Sequence, residues 1–435
     1  MKNKCFIIFI FIVNSFIICE ELTFQTQMFK KIHNLKNIKS KDNILISPLS
    51  IYQIISLLSN GANGTTQQEI LQTLLIDANI SDDTLDSLNS NNEKFINDAK
   101  NSEKLKIANA ILTNIELLNS FINIGQQYDS YVAKLEGVEQ VNNWCYEHTN
   151  GKIKKILDSL SPDCQIVLLN AIYFKSDWEK KFEEENTHKR NFKNADKSIS
   201  KVNMMYQTLS YINYYEDEKI QMIELPYKDN YNLSMIIILP REDKYSSSYD
   251  YLEKENIDFT KLVNNLSKVE EVYFHFPRFE FEYSIELNDV LKNISMVSAF
   301  NETADFSNIN KTIPLFVSKV IQRTYIKVTE TGTEAAAVTE VEIIAMSPAP
   351  PEVTYDMNVN HSFIYMIRDK RIKDVDNNEL MLFIGSCNDF SKKNNDFKYF
   401  NNKDDDFDNL FIINEGEYIK NNLKFILMII PFILF

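Results

Sequence analysis

A mixed α+β single domain organised around one large sheet is the fold class this 435-residue sequence predicts. Three observations predict it. Helical spacings dominate the first third of the chain, and the long apolar runs that follow lack the regular alternation of βαβ units. Residues 165–174, Q-I-V-L-L-N-A-I-Y-F, are nearly all apolar, as a strand buried on both faces requires. Residues 330–347, E-T-G-T-E-A-A-A-V-T-E-V-E-I-I-A-M-S, alternate with period two. At 44% hydrophobic and 12% aromatic, with only 8 Gly and 10 Pro, the chain can build a substantial core and is neither fibrous nor compositionally disordered.

Taken in order, residues 23–35 repeat Phe24, Met28 and Ile32 at helical spacing. Residues 43–47 form a short apolar strand halted by Pro48. Ser50 is the expected cap of a helix over 51–59 that ends at Asn60-Gly61-Ala62-Asn63-Gly64, and Thr65 the expected cap of the next, with Gln68 at the capping-box position. Residues 81–103 are polar helix and loop without the cluster of Lys and Arg that a polyanion site needs. A strand over 105–112 leads to a helix reaching about residue 131, and 141–160 carries Trp144 and Ile153 at helical or post-helical spacing. Asn170 lies in the middle of the buried 165–174 strand; a buried Asn must be hydrogen-bonded, so it marks a polar node in the sheet. Strands follow at 220–226 and 233–240 around a turn at 228–230. An alternating strand at 272–281, a helix at 287–292 and a strand at 317–329 lead into residues 330–347.

In that last stretch Thr333, Ala335, Ala337, Thr339, Val341 and Ile343 share one face, and Glu334, Ala336, Val338, Glu340 and Glu342 the other. The inward residues near its start are small enough to slide between strands already in place. Gly332 tolerates backbone angles that a hinge needs. The segment exits through Met346-Ser347 into Pro348-Ala349-Pro350-Pro351, which cannot sustain a ladder of hydrogen bonds. An ordinary edge strand followed by a Pro-rich turn would show the same pattern.

Both ends carry targeting patterns. Residues 1–19 pair a basic start with an apolar run, as a secretory signal peptide does. Residues 390–416 form an Asn- and Asp-rich acidic linker, and 417–435 a polar spacer with an apolar tail too short to span a bilayer. The layout is that of a lipid-anchor attachment signal, which would tether a secreted protein at the cell surface. Sequons at Asn63, Asn79, Asn232, Asn265, Asn293, Asn301 and Asn310 suit an extracellular glycoprotein. With both ends trimmed, Cys145, Cys164 and Cys387 remain, too few for a disulfide framework and expected as buried thiols. The net charge of −15 argues against nucleic-acid binding.

Catalytic signals are weak. The five histidines, His33, His148, His188, His275 and His361, share no metal-ligand spacing. No nucleophile elbow or phosphate loop occurs. Glu179, Glu183, Glu184 and Glu185 are expected as a solvated face rather than an acid–base pair. Neither a cofactor nor a metal is expected.

These stretches together resemble the serpins, over about residues 22–389, with a serpin domain set at 20–389. N-I-L-I-S-P-L at 43–49, with the following S-I and G-A-N-G-T-T, is similar to one signature of that family. L-N-A-I-Y-F-K-S-D-W at 169–178 is similar to its central strand and breach tryptophan. Asn203-Met204-Met205, Glu224-Leu225-Pro226-Tyr227, Pro277-Arg278-Phe279, residues 357–367 and Phe383-Ile384-Gly385 match in order and spacing. The resemblance implies a large mixed central sheet, two smaller sheets, eight to nine helices and an exposed reactive loop. It implies a monomeric suicide inhibitor, not an enzyme, whose loop is cut by a target serine protease. The covalent acyl complex would then be trapped as the loop inserts into the sheet. The loop hinge would be Glu330, Gly332, Thr333, Glu334, Ala335, Ala336, Ala337, Val338 and Thr339, and counting from Glu330 puts the cut bond between Met346 and Ser347. Cleavage after Ala345 or Ile344 would also suit an elastase, and Met346 suits elastase- or chymotrypsin-like enzymes. Ser47, Ser50, Asn170, Trp178 and Gln322 would be the shutter and breach residues. Gln322 stands where the family usually carries a histidine, and residues 134–142 are shorter than the corresponding stretch, which implies a trimmed helix over the sheet. The alternative within the family is a non-inhibitory binding, carrier or chaperone protein.

Overall fold

In the computed structural model, residues 22–391 are described apart from 37, 76–79, 82, 101–104, 150, 152, 154, 162, 229, 334–352 and 376. The expected processing segments at 1–19 and 417–435, nearly all of the linker, the reactive bond and Glu334 to Thr339 lie outside the described residues.

The α+β class holds, with nine α-helices among the described residues and two mixed sheets. The seven-stranded sheet runs Tyr131–Lys134, Leu105–Thr113, Ile166–Phe174, Val317–Val328, Gly332–Thr333 and Ser176–Asp177, with Phe279–Glu286 on the other edge of Val317–Val328. The two central strands, Ile166–Phe174 and Val317–Val328, lie parallel. The nine-stranded sheet unites what the resemblance implies as two smaller ones, because one strand, Ile199–Glu216, serves both. Its start, Ile199 to Met204, pairs with His188–Lys193, its stretch from Met204 to Tyr214 with Ser267–Pro277, and its end from Asn213 with Ile220–Tyr227.

Period-two logic explains the central strand. Ile166, Leu168, Ile172 and Phe174 face the main core, where the helix Pro48–Gly61 packs. Val167, Leu169 and Ala171 face a second cluster with Val141, Trp144 and Cys145 of the helix Val138–His148. That helix is 11 residues long, about three turns. Burial pushes the Cys145 thiol up to about 12, so it packs as a small apolar group.

Local expectations shift in three places. Ser47, not Ser50, caps the helix Pro48–Gly61, its Oγ accepting from the Ser50 N–H at 3.3 Å. Asn63, not Thr65, caps Gly64–Leu74, because its Oδ1 lies one residue before the turn and accepts from the Gly64 N–H at 3.0 Å. The run at 272–281 divides at Arg278 into Ser267–Pro277 and Phe279–Glu286, which enter different sheets. Proline ends the first ladder there and the strand restarts at Phe279.

His33 gives a pH prediction. Its ring is buried, Nδ1 lies 2.8 Å from the Phe29 carbonyl oxygen, and burial lowers the imidazole from 6.5 to about 4. The folded pKa lies below the unfolded one, so this contribution is intact above pH 6.5 and is lost as pH falls through 4. At about 1.4 kcal/mol per unit the loss is roughly 3 kcal/mol. Urea midpoints between pH 7 and 4 should therefore fall more steeply for the parent than for His33→Gln. Parallel curves would contradict the assignment.

Candidate functional site

The site grows from the seam between the two central strands. In the lower part of the seam they pair from Val317 opposite Ile166 to Thr324 opposite Ile172, with a single bulge at Ser318. Gln322 and Asn170 face each other there, and Asn109 of Leu105–Thr113 faces Asn170 on its other side. The Gln322 amide donates to Asn170 Oδ1 at 2.6 Å and to the Ser47 carbonyl at 3.0 Å, and accepts from the Ser47 N–H at 2.9 Å. The Asn170 amide donates to Ser50 Oγ and to Asn109 Oδ1. All five residues are buried, so each bond is made without competing water. The result is a polar latch that ties three strands to the start of one helix. The structure brings Ser47, Ser50, Asn170 and Gln322 together. Asn109 was missed, although an Asn within the apolar run I-A-N-A-I-L invites the reasoning applied to Asn170.

The seam parts above Thr324. Gly332–Thr333 lies in the opening, with Thr333 opposite both Val328 on one side and Ser176 on the other, and Gly332 opposite Asp177. The first two residues after Thr331 thus already form a strand between the end of Val317–Val328 and Ser176–Asp177, which follows Ile166–Phe174 in the chain. The Thr333 side chain is fully buried, and its hydroxyl shares a 2.8 Å hydrogen bond with the Tyr227 hydroxyl. Burial drives the Tyr227 phenol far above its ordinary range, so it remains a neutral donor. Its ring stacks on Trp178 with centroids 4.7 Å apart.

Three successive carbonyls hold the approach to this strand. The Trp178 indole N–H donates to the Thr329 carbonyl at 3.0 Å and its backbone N–H to the Thr331 carbonyl at 2.9 Å, while the Phe182 N–H donates to the Glu330 carbonyl at 2.9 Å. The Glu330 carboxylate is buried too, accepting from the Thr187 hydroxyl at 2.8 Å and paired with the Arg278 guanidinium at 3.4 Å. Thr187 carries no pattern that sequence reasoning could have used. Arg278 and Tyr227 sit inside motifs that the resemblance rests on, and those motifs were the available signal. Glu179, Glu183, Glu184 and Glu185 are exposed, as a solvated face would be.

Gly332 makes the seating possible. It adopts φ +156°, and a Cβ there would lie 2.6 Å from the Asp177 Cα and closer still to the Ser176 carbonyl oxygen. Gly332→Ala should therefore unseat Thr333, seen as faster amide exchange at residues 329–333 with the rest of the sheet unchanged. Unaltered exchange would show that the neighbouring strand yields instead.

A family model described as Serpin (serine protease inhibitor) matches residues 20–390. The leukocyte elastase inhibitor of Xenopus laevis is 34% identical over 369 residues, covering 80% of this chain and 94% of that protein. The crystal structure of tengpin, a thermophilic serpin, in its native state matches with TM-score 0.73 and 30% identity, over 84% of this chain and 92% of tengpin. Human thyroxine-binding globulin complexed with thyroxine matches with TM-score 0.73 at 24% identity, over 85% of this chain and 96% of the globulin, a likeness of fold alone.

Proposed function

The chain belongs to the serpin family of protease inhibitors, and on that premise we propose that it is a suicide-substrate inhibitor of elastase- or chymotrypsin-like serine proteases. The observation that carries this reading is the Gly332–Thr333 strand seated at the top of a seam whose lower part is still closed. A segment that has entered by two residues, and whose sequence continues with the small residues Ala335 and Ala337 at the same period-two positions as Thr333, is primed to continue. In the proposed reaction the protease serine attacks the Met346 carbonyl, forming an ester and releasing the Ser347 amine. Freed from its downstream tether, the upstream segment zips down the seam, displacing the pairing of Val317–Val328 with Ile166–Phe174. Its backbone groups gain ladder partners as it goes. Hauling the ester-linked protease along would distort the protease's active site before water hydrolyses the ester.

The smooth inward face favours inhibition over a carrier role, since a bulky or charged residue would bar entry. Incubation with elastase- and chymotrypsin-type enzymes should give an SDS-stable complex, with mass spectrometry finding a released peptide that begins at Ser347. A loop that every protease cuts while remaining active would overturn the reading. The terminal sequence patterns support a secreted protein held at the cell surface by a lipid anchor, and membership of the family supports a monomer. Release by phosphatidylinositol-specific phospholipase C tests that placement.

A further inference from the structure

Beside the breach lies a cleft of about 330 Å³ that the proposed inhibitory cycle does not use. Its size falls at the small end of the range for small-molecule sites, roughly 300–1,000 Å³. The walls are apolar, among them Trp178, Phe182 and Ile212. Tyr211 stands at the rim, 74% exposed, with its backbone at φ +54°, a conformation that bulky residues rarely adopt. The strain is local to the point where Ile199–Glu216 skips a pairing with Ser267–Pro277, between Ser210–Glu271 and Ile212–Val269.

Charge selects the occupant. Lys180, Lys268 and Lys370 border the cleft against two carboxylates, Glu179 and Glu224. Glu224 is already committed: the Arg368 guanidinium lies 2.9 Å away and the Lys370 ammonium 3.1 Å. Lys268 is exposed at the edge of the cleft. On a chain of net charge −15, this is an apolar hollow with a cationic edge.

The same walls hold the hinge. Trp178 and Phe182 supply the three N–H groups that bind the carbonyls of Thr329, Glu330 and Thr331. We propose that the cleft binds a small amphipathic anion, such as a medium-chain carboxylate, and that its occupancy stabilises the seated Gly332–Thr333 strand. The apolar tail packs against the Trp178 and Phe182 side chains and fixes them where they grip the hinge. The carboxylate sits among the lysines.

Decanoate is the probe, in the full chain carrying Trp144→Phe so that Trp178 alone reports. Decanoate should change indole emission saturably, and decyltrimethylammonium should not. Lys268→Glu should weaken decanoate binding at least about ten-fold, and Tyr211→Gly should weaken it several-fold while relieving the backbone strain. Hydrogen exchange at 329–333 should slow on saturation with decanoate. Absence of a saturable change, equal binding of the cation, or undiminished affinity in Lys268→Glu with native circular dichroism would overturn the site. Binding that leaves the exchange at 329–333 unchanged would overturn the coupling. None of these readouts involves a protease, so they stand or fall apart from the inhibitory reading.

Discussion

Thr333→Arg should convert the protein from a trap into a substrate: proteases would cut the loop at an unchanged rate, yet the SDS-stable complex would nearly vanish. The reason is the place Thr333 already occupies. Its side chain is fully buried between Val328 and Ser176, facing the Tyr227 hydroxyl. A guanidinium there would have to shed its water with no carboxylate provided, a penalty of several kcal/mol. In the proposed mechanism the outcome depends on a race between insertion and hydrolysis of the acyl-enzyme. If the substitution slows insertion by about 3 kcal/mol, that race shifts roughly a hundred-fold toward hydrolysis, at about 1.4 kcal/mol per factor of ten. Thr333→Val is the companion variant, because it keeps the volume and removes only the bond to Tyr227. The buried phenol would then lack that partner, at about 1–3 kcal/mol. Hinge amides should exchange faster while most of the complex yield survives. Equal complex yields for Thr333→Arg and the parent on denaturing gels would sink insertion as the mechanism.

How much of this was legible beforehand differs by residue. Asn170 announced itself, since an amide inside an apolar strand needs partners. Its partners Ser50 and Gln322 are 120 and 152 residues away, so chemistry alone could not name them; the resemblance did. Asn109 obeyed the same rule one strand earlier and was passed over. The period of two correctly assigned Thr333 to the inward face. A pattern of faces carries no information about whether a strand is already seated, and the pairing of Thr333 with Ser176 and Val328 emerged only from the fold. Glu330 is the sharper case. A carboxylate next to a hinge suggests solvent, yet it is buried because Thr187 and Arg278, distant in the chain, converge on it. The caps failed by smaller margins. Ser47 and Asn63 displaced Ser50 and Thr65 because several capping residues stand together, and only backbone geometry chooses among them. The break at Arg278 was hidden since alternation continues across it, although the strands on either side belong to different sheets.

Gln322 at the latch leads to the second large effect. Gln322→Ala should lower the thermal midpoint by roughly 4 °C and open the seam. The Ser47 N–H, the Ser47 carbonyl and Asn170 Oδ1 each lose a partner at a fully buried site. At about 1–3 kcal/mol per stranded group, with incomplete additivity, a loss near 3 kcal/mol is expected, each kcal/mol being worth about 1.3 °C in a domain of this size. Spontaneous conversion to inserted or polymerised forms should accelerate, as native gels would show on mild heating. Gln322→His tests the arrangement more finely. Neutral imidazole offers one donor and one acceptor against the two donated bonds and one accepted bond that Gln322 makes, so one bond must go. Burial would hold the new histidine's folded pKa below 6.5. Its stabilising bonds would be intact above that value and lost as pH falls, because protonation removes the acceptor that the Ser47 N–H needs. The variant should match the parent most nearly at pH 8 and fall behind it by pH 5.5 in urea midpoints. A latch of glutamine, with no group that titrates in this range, keeps the seam equally closed from neutral to mildly acidic surroundings, and a flat profile for Gln322→His would show that the third bond, not the charge, sets the latch.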